Sequence, residues 1–170
     1  MVKHYEATPF VNRVTSWMAR MEIGRTEVTT TIGRKSGESR DVPVSSIVID
    51  GTEYVVSPHG QVGWVHNVRA NPMVTLRHGS QRRQVRLEEV TGPSGPPAAA
   101  AYHARESFAR PYMDVPENPT LEDFVTSASL SPVFRVVPNP DRVGTSILAR
   151  RYRPMGRDLR AKTGRRWRSL

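Results

Sequence analysis

The sequence predicts an α+β fold built on an antiparallel, barrel-like sheet. Two observations carry this. Short β-branched runs follow one another with turn residues between them, so neighbouring strands pair as a meander. One short helical pattern interrupts the series and others flank it, without the βαβ alternation of a doubly wound sheet. At 170 residues the chain is long enough for one domain with its own core and short for two.

Phe10, Val14, Trp17, Met18 and Met21 recur at spacings of three and four, which predicts an amphipathic helix over 9–22 ended by Gly24. Residues 28–32 are rich in β-branched side chains and predict a strand. Residues 41–49 predict the next, Asp50-Gly51 a hairpin turn, and 53–57 the return strand. Pro58-His59-Gly60 is a loop. Val62, Val65 and Val68, spaced by three around Trp64, predict a short helix over 62–70 that Asn71-Pro72 stops. Residues 73–77 and 84–90 predict two strands joined near Gly79-Ser80. A Gly/Pro/Ser linker follows over 91–97, then a helix over 97–110 favoured by Ala98 to Ala101. A second short helix over 121–127 and a last strand over 132–137 complete the pattern.

Composition excludes several function classes. Cysteine is absent, so disulfides, thiolate metal sites and a cysteine nucleophile are excluded, and a reducing cytoplasm fits. No secretory pattern opens the chain, and nowhere do 18 apolar residues run together, so no transmembrane segment is expected. The hydrophobic fraction of 37% and mean hydropathy of -0.51 are low, implying that some segment lies outside the core. The charge shows which one. Residues 1–137 hold 15 Lys and Arg against 14 Asp and Glu, whereas 138–170 hold 10 against 2. We therefore expect a domain over 1–137 and a basic C-terminal extension over 138–170. Three readings of the extension stand open: a solvated tail, a binder of an anionic membrane or nucleic acid with Tyr152 and Trp167 among its cations, or a segment packed on the domain or a partner subunit.

The richest stretch is the turn in Thr29–Arg40. Gly33 and Gly37 permit tight geometry and close backbone approach. Arg34 and Arg40 can each grip two oxygens, Lys35 adds a point charge and Ser36 a hydroxyl donor. The turn reads either as an anion site or as a solvated hairpin end whose cations face water. His59 and His66 lack a carboxylate partner at metal-ligand spacing, so no metal site is expected.

This segment, continued by Val42-Pro43-Val44, resembles the Thr-Thr-Gly-Arg-Lys-Ser-Gly-x-x-Arg-x-x-Pro signature of the deazaflavin-dependent nitroreductase family. In register, Asp50-Gly51 with Tyr54-Val55-Val56-Ser57 resembles that family's next hairpin. Trp64-x-x-Asn67-x-x-x-Asn71-Pro72-x-Val74 resembles its Trp-x-x-Asn-Leu-x-Ala-Asn-Pro-x-Val block. The match covers residues 27–92 well and 93–137 by order of elements.

The resemblance implies a split β-barrel of FMN-binding-like type with flanking helices. It also implies coenzyme F420, an 8-hydroxy-5-deazaflavin with a phosphate and an oligoglutamate tail, with FMN as the alternative cofactor. Hydride then passes between the deazaflavin C5 and a nitro compound, quinone or activated alkene. Gly33, Arg34, Lys35, Ser36, Gly37 and Arg40 are expected at the phosphate and glutamate carboxylates. Pro43 and Val44 are expected at the deazaflavin wall, and Ser57, His59 and Gly60 in a loop near the ring. Trp64 is expected beside the cofactor or as a core anchor, and Asn67 at the site or bracing the short helix with Asn71. Tyr102 and Tyr112 are the candidates to deliver a proton, or else pack in the core. Homodimers and a cytoplasmic location, with membrane association through the tail, are further expectations. Two departures stand out: Pro58-His59-Gly60 replaces a lysine and longer glycine-rich loop, and Ile32 replaces a third threonine. Two other classes of function remain open: a binding module for F420, FMN, haem or a lipid, and an adaptor led by the tail.

Overall fold

The computed structural model describes residues 26–139. The predicted helix over 9–22 and the basic extension beyond Asn139 lie outside the described residues. Within them the strands are β1 (Thr26–Ile32), β2 (Ser39–Ile49), β3 (Thr52–Val56), β4 (Met73–His78), β5 (Gln81–Glu89) and β6 (Val133–Pro138). The helices are α1 (Gly63–Ala70), α2 (Gly95–Arg105) and α3 (Leu121–Thr126), with a 3-10 turn over Ser107–Tyr112.

All pairings are antiparallel and close a six-stranded barrel in the order β1-β2-β3-β6-β5-β4. This is the α+β barrel that the sequence predicts. Hairpin chemistry sets the register. Asp50 (φ 48°) and Gly51 (φ 79°) both take positive φ, the requirement of a two-residue turn that matches strand twist, so Ile49 faces Thr52.

Strand direction decides where the connections go. The tight turns at Asp50-Gly51 and Gly79-Ser80 lie at one end of the barrel. The β1–β2 turn over 33–38, the loop and helix over 57–72, the segment leading to α2 and the loop entering β6 all lie at the other.

Alternation along the strands makes two cores. Val44, Val55, Leu76, Leu87 and Phe134 point inward, and Val65 and Val68 of α1 pack on them to close the end that carries the long connections. On the outer face, Ile47, Val56 and Val133 pack against Ala98 and Tyr102 of α2 and Phe124 of α3. One inward layer is ionic. Glu27, Glu53 and Arg83 share the inward phase, and Arg83 Nη2 lies 3.0 Å from Glu27 and 2.6 Å from Glu53. Burial opposes the Arg83 charge, and the two carboxylates more than offset it, so its pKa is raised.

Two elements differ from expectation by three residues or more at a boundary. β5 begins at Gln81 instead of Gln84, because its polar start is held by pairing to β4 and by the Arg83 ion pairs and so shows no apolar alternation. The helix expected over 97–110 is instead α2 followed by the 3-10 turn. Pro96 and Pro97 sit in the first turn, where a missing N–H costs nothing, so the helix starts earlier. Arg110 Nε and Nη2 then donate to the His103 and Ala104 carbonyls at 3.0 and 2.9 Å, satisfying the end of α2.

Candidate functional site

The β1–β2 turn is held from inside and from behind. Gly37 N–H donates to Gly33 O (2.8 Å) and Gly33 N–H to Glu38 O (2.8 Å). Gly37 takes φ +70°, a conformation side chains disfavour, and a Cβ there would meet nothing within 4 Å. A Cβ on Gly33 would come within 2.7 Å of Ser36 Oγ.

From behind, Asn67 of α1 clamps the turn across 33 residues of sequence. Its Oδ1 accepts from Arg34 N–H (3.2 Å) and Arg34 Nη1 (3.4 Å), and its Nδ2 donates to Thr31 Oγ1 (3.4 Å). Asn67 is 8% exposed, so these bonds sit in a protected place. Arg34, Lys35, Ser36 and Arg40 are all exposed at this turn. Among the described residues neither Arg34 nor Lys35 pairs with a carboxylate; Arg40 pairs with Glu38 at 3.0 Å. Guanidinium, ammonium and hydroxyl donors backed by a rigid amide suit a phosphate with neighbouring carboxylates, so the residues present fit a polyanionic ligand.

The other expected residues divide. Ser57 is buried; its Oγ donates to Gly60 O (2.8 Å) and its N–H to Pro132 O (2.9 Å), fixing the 57–60 loop. Gly60 has φ +76°, and a Cβ there would lie 3.0 Å from Leu130 O, so the segment before β6 crowds any side chain at this position. His59 is half-buried and stands edge-on to Tyr112, ring centroids 4.5 Å apart at 68°. Burial lowers the His59 pKa, which favours the neutral imidazole at pH 7. Trp64 is half-buried, tilted 52° against Phe134 at 5.4 Å. Asn71 Oδ1 accepts from Met73 N–H at 3.2 Å, bracing the end of α1.

Pro43 is half-buried on the outer side of β2 opposite Val28, whereas Val44 points into the barrel core. Tyr102 is 2% exposed in the outer core. Burial, reinforced by the Glu106 charge, pushes its pKa well up. Of the two tyrosines, Tyr112 alone is partly exposed. No group of three His, Asp or Glu side chains able to hold a metal occurs among the described residues. No helix among them is long and apolar enough to cross a membrane.

Sequence reasoning missed two members of this site. Thr31 is fully buried and receives Asn67, a role that a β-branched strand residue does not announce. Glu38 places a carboxylate inside the cationic turn, and its charge alone is the signal that points to it.

A family model for F420H(2)-dependent quinone reductases matches residues 7–114, more than half of the chain. The chain belongs to that family. It is an F420-dependent reductase, an oxidoreductase whose cofactor is coenzyme F420. No curated protein matches it. Among solved structures, the reductase is similar to an F420-H2 dependent reductase, FDR-A, at 24% identity over 66% of this chain and 94% of that one, with a TM-score of 0.47. It is similar to a protein described as a domain-swapped dimer, at 22% identity over 75% and 96%, TM-score 0.48. It is also similar to HutZ, a heme storage protein from Vibrio cholerae, at 10% identity over 75% and 87%, TM-score 0.49.

Asn67 gives the reductase a separable test. Asn67→Leu keeps the branching and heavy-atom count and removes the clamp, leaving the Arg34 N–H and Thr31 hydroxyl without it. We expect a stability loss of about 1–3 kcal/mol by denaturant titration. Weaker F420 binding should accompany it, because the turn loses its backing. Unchanged stability and affinity would show that the clamp does not organise the turn.

Proposed function

We propose that this reductase delivers hydride from reduced F420 to a quinone or a related electrophile, such as a nitro compound or activated alkene. In this reading the Gly33–Arg40 turn grips the coenzyme's phosphate and glutamate carboxylates. The observation that carries it is the turn itself: Arg34, Lys35 and Ser36 exposed together, two of them cations without a carboxylate partner among the described residues, on a backbone clamped by Asn67.

When bound, the coenzyme supplies the hydride. The protein supplies position and charge. Arg34 and Lys35 neutralise the phosphate, Ser36 donates to it, and Arg40 meets the tail. The 57–60 loop, fixed by Ser57, and Trp64 on α1 border the same end of the barrel and shape the ring's surroundings. Tyr112, beside the neutral His59, is the phenol placed to give a proton to the anion that develops on the reduced substrate. In this reading residues 138–170 are a basic extension of the enzyme, which works in the cytoplasm as a homodimer.

The test is anaerobic mixing of the purified reductase with reduced F420 and, separately, a quinone, a nitroaromatic and an activated enone. Return of the oxidised deazaflavin absorbance, fastest with the quinone, is expected. Tight F420 binding with no oxidation by any of the three would make the protein a carrier instead.

A further inference from the structure

Glu38 brings a carboxylate into the cationic turn. Its Oε2 lies 3.0 Å from Arg40 Nη2, and both side chains are exposed, 69% and 61%. The backbone holds Glu38 there: its carbonyl accepts from Gly33 N–H at 2.8 Å, and its own N–H donates to Ser36 Oγ at 3.3 Å. Arg34 is turned toward Asn67 instead. One of the three cations is therefore already paired within the turn itself. Its partner is the carboxylate of a glutamate side chain, the same chemical group that an oligoglutamate tail presents.

We propose that Glu38 is an internal counter-ion that occupies the Arg40 carboxylate subsite in the free reductase and is displaced by a glutamyl carboxylate of the coenzyme. This rests on reading the turn as the coenzyme's anion cradle. An incoming tail must take Arg40 from Glu38 and then lie beside the released carboxylate. Glu38 thus lowers affinity for long, highly charged tails more than for short ones. The pair is exposed, so its energy is small and screened by salt; the Debye length is about 8 Å at physiological ionic strength. An exposed pair of this kind also contributes little to folding, and Glu38→Gln keeps both backbone bonds.

The experiment is a fluorescence titration of wild type and E38Q with F420 species of short and long oligoglutamate tails, at low and high salt. E38Q should bind about two- to fivefold more tightly at low salt, in line with exposed ion pairs. The gain should grow with tail length, shrink at high salt, and shrink in an Arg40→Ala background. An unchanged or weakened affinity would overturn the proposal. So would an equal gain in the R40A background, which would mean long-range repulsion without a shared subsite. The double variant Arg34→Ala, Lys35→Ala belongs in the same titration. If it binds F420 as wild type does, the cradle reading itself fails. If it binds weakly and E38Q is unchanged, only the role of Glu38 fails.

Discussion

Replacing Arg34 and Lys35 together with alanine is expected to weaken F420 binding by about tenfold or more, equivalent to about 1.4 kcal/mol. Each side chain is exposed, so each contact alone is worth about 1 kcal/mol or less when screened by water and salt. Two cations on one anionic group, with Arg34 set by the Asn67 clamp, together reach about 1–2 kcal/mol, the range in which a tenfold change falls. Neither pairs with a carboxylate among the described residues, so their loss leaves no stranded charge, and the fold should hold. Fluorescence titration gives the affinity, and thermal melting of the same sample checks folding. Equal affinity in a folded double variant would remove the turn from the coenzyme site.

The largest stability effect is expected at Phe134. Its ring is 1% exposed in the barrel interior and lies 5.4 Å from Trp64, joining β6 to the helix that backs the cationic turn. Phe134→Ala removes the ring from a closed barrel whose β-branched walls cannot collapse far, so a loss of about 3–5 kcal/mol is expected. That corresponds to a drop in Tm of about 10 °C or more for a domain of this size. Phe108→Ala is the control: that ring is 55% exposed, and its loss should change stability by no more than about 0.5 kcal/mol. A drop of only a few degrees for Phe134→Ala would mean that the interior repacks.

Much of the fold was legible because barrel strands write their pairing into local chemistry. Asp50-Gly51 named its turn, and Asn71-Pro72 ended α1 as expected. Where the local signal failed, a distant contact had decided. Arg83 looks like a solvent-facing charge in the sequence, and only Glu27 and Glu53, on two other strands, make its inward position tolerable. The break after Arg105 depends on Arg110 turning back to the end of α2. At the site, the glycines, cations and serine of the turn stand next to one another and are visible as a motif. The Asn67 clamp on Arg34 and Thr31 is not, because it joins residues more than 30 positions apart through one amide. Val44 illustrates the converse. Its place in a motif suggests the cofactor wall, whereas strand alternation sends its side chain into the barrel.

The most direct measurement compares, by fluorescence titration of the wild-type reductase, complete F420 with the bare deazaflavin chromophore that lacks phosphate and tail. If the turn holds the polyanion, F420 binds with an affinity on the order of micromolar or tighter, and the bare chromophore binds about tenfold or more weakly. Equal affinity for the two, or no fluorescence change with F420, would contradict the assignment of the Gly33–Arg40 turn.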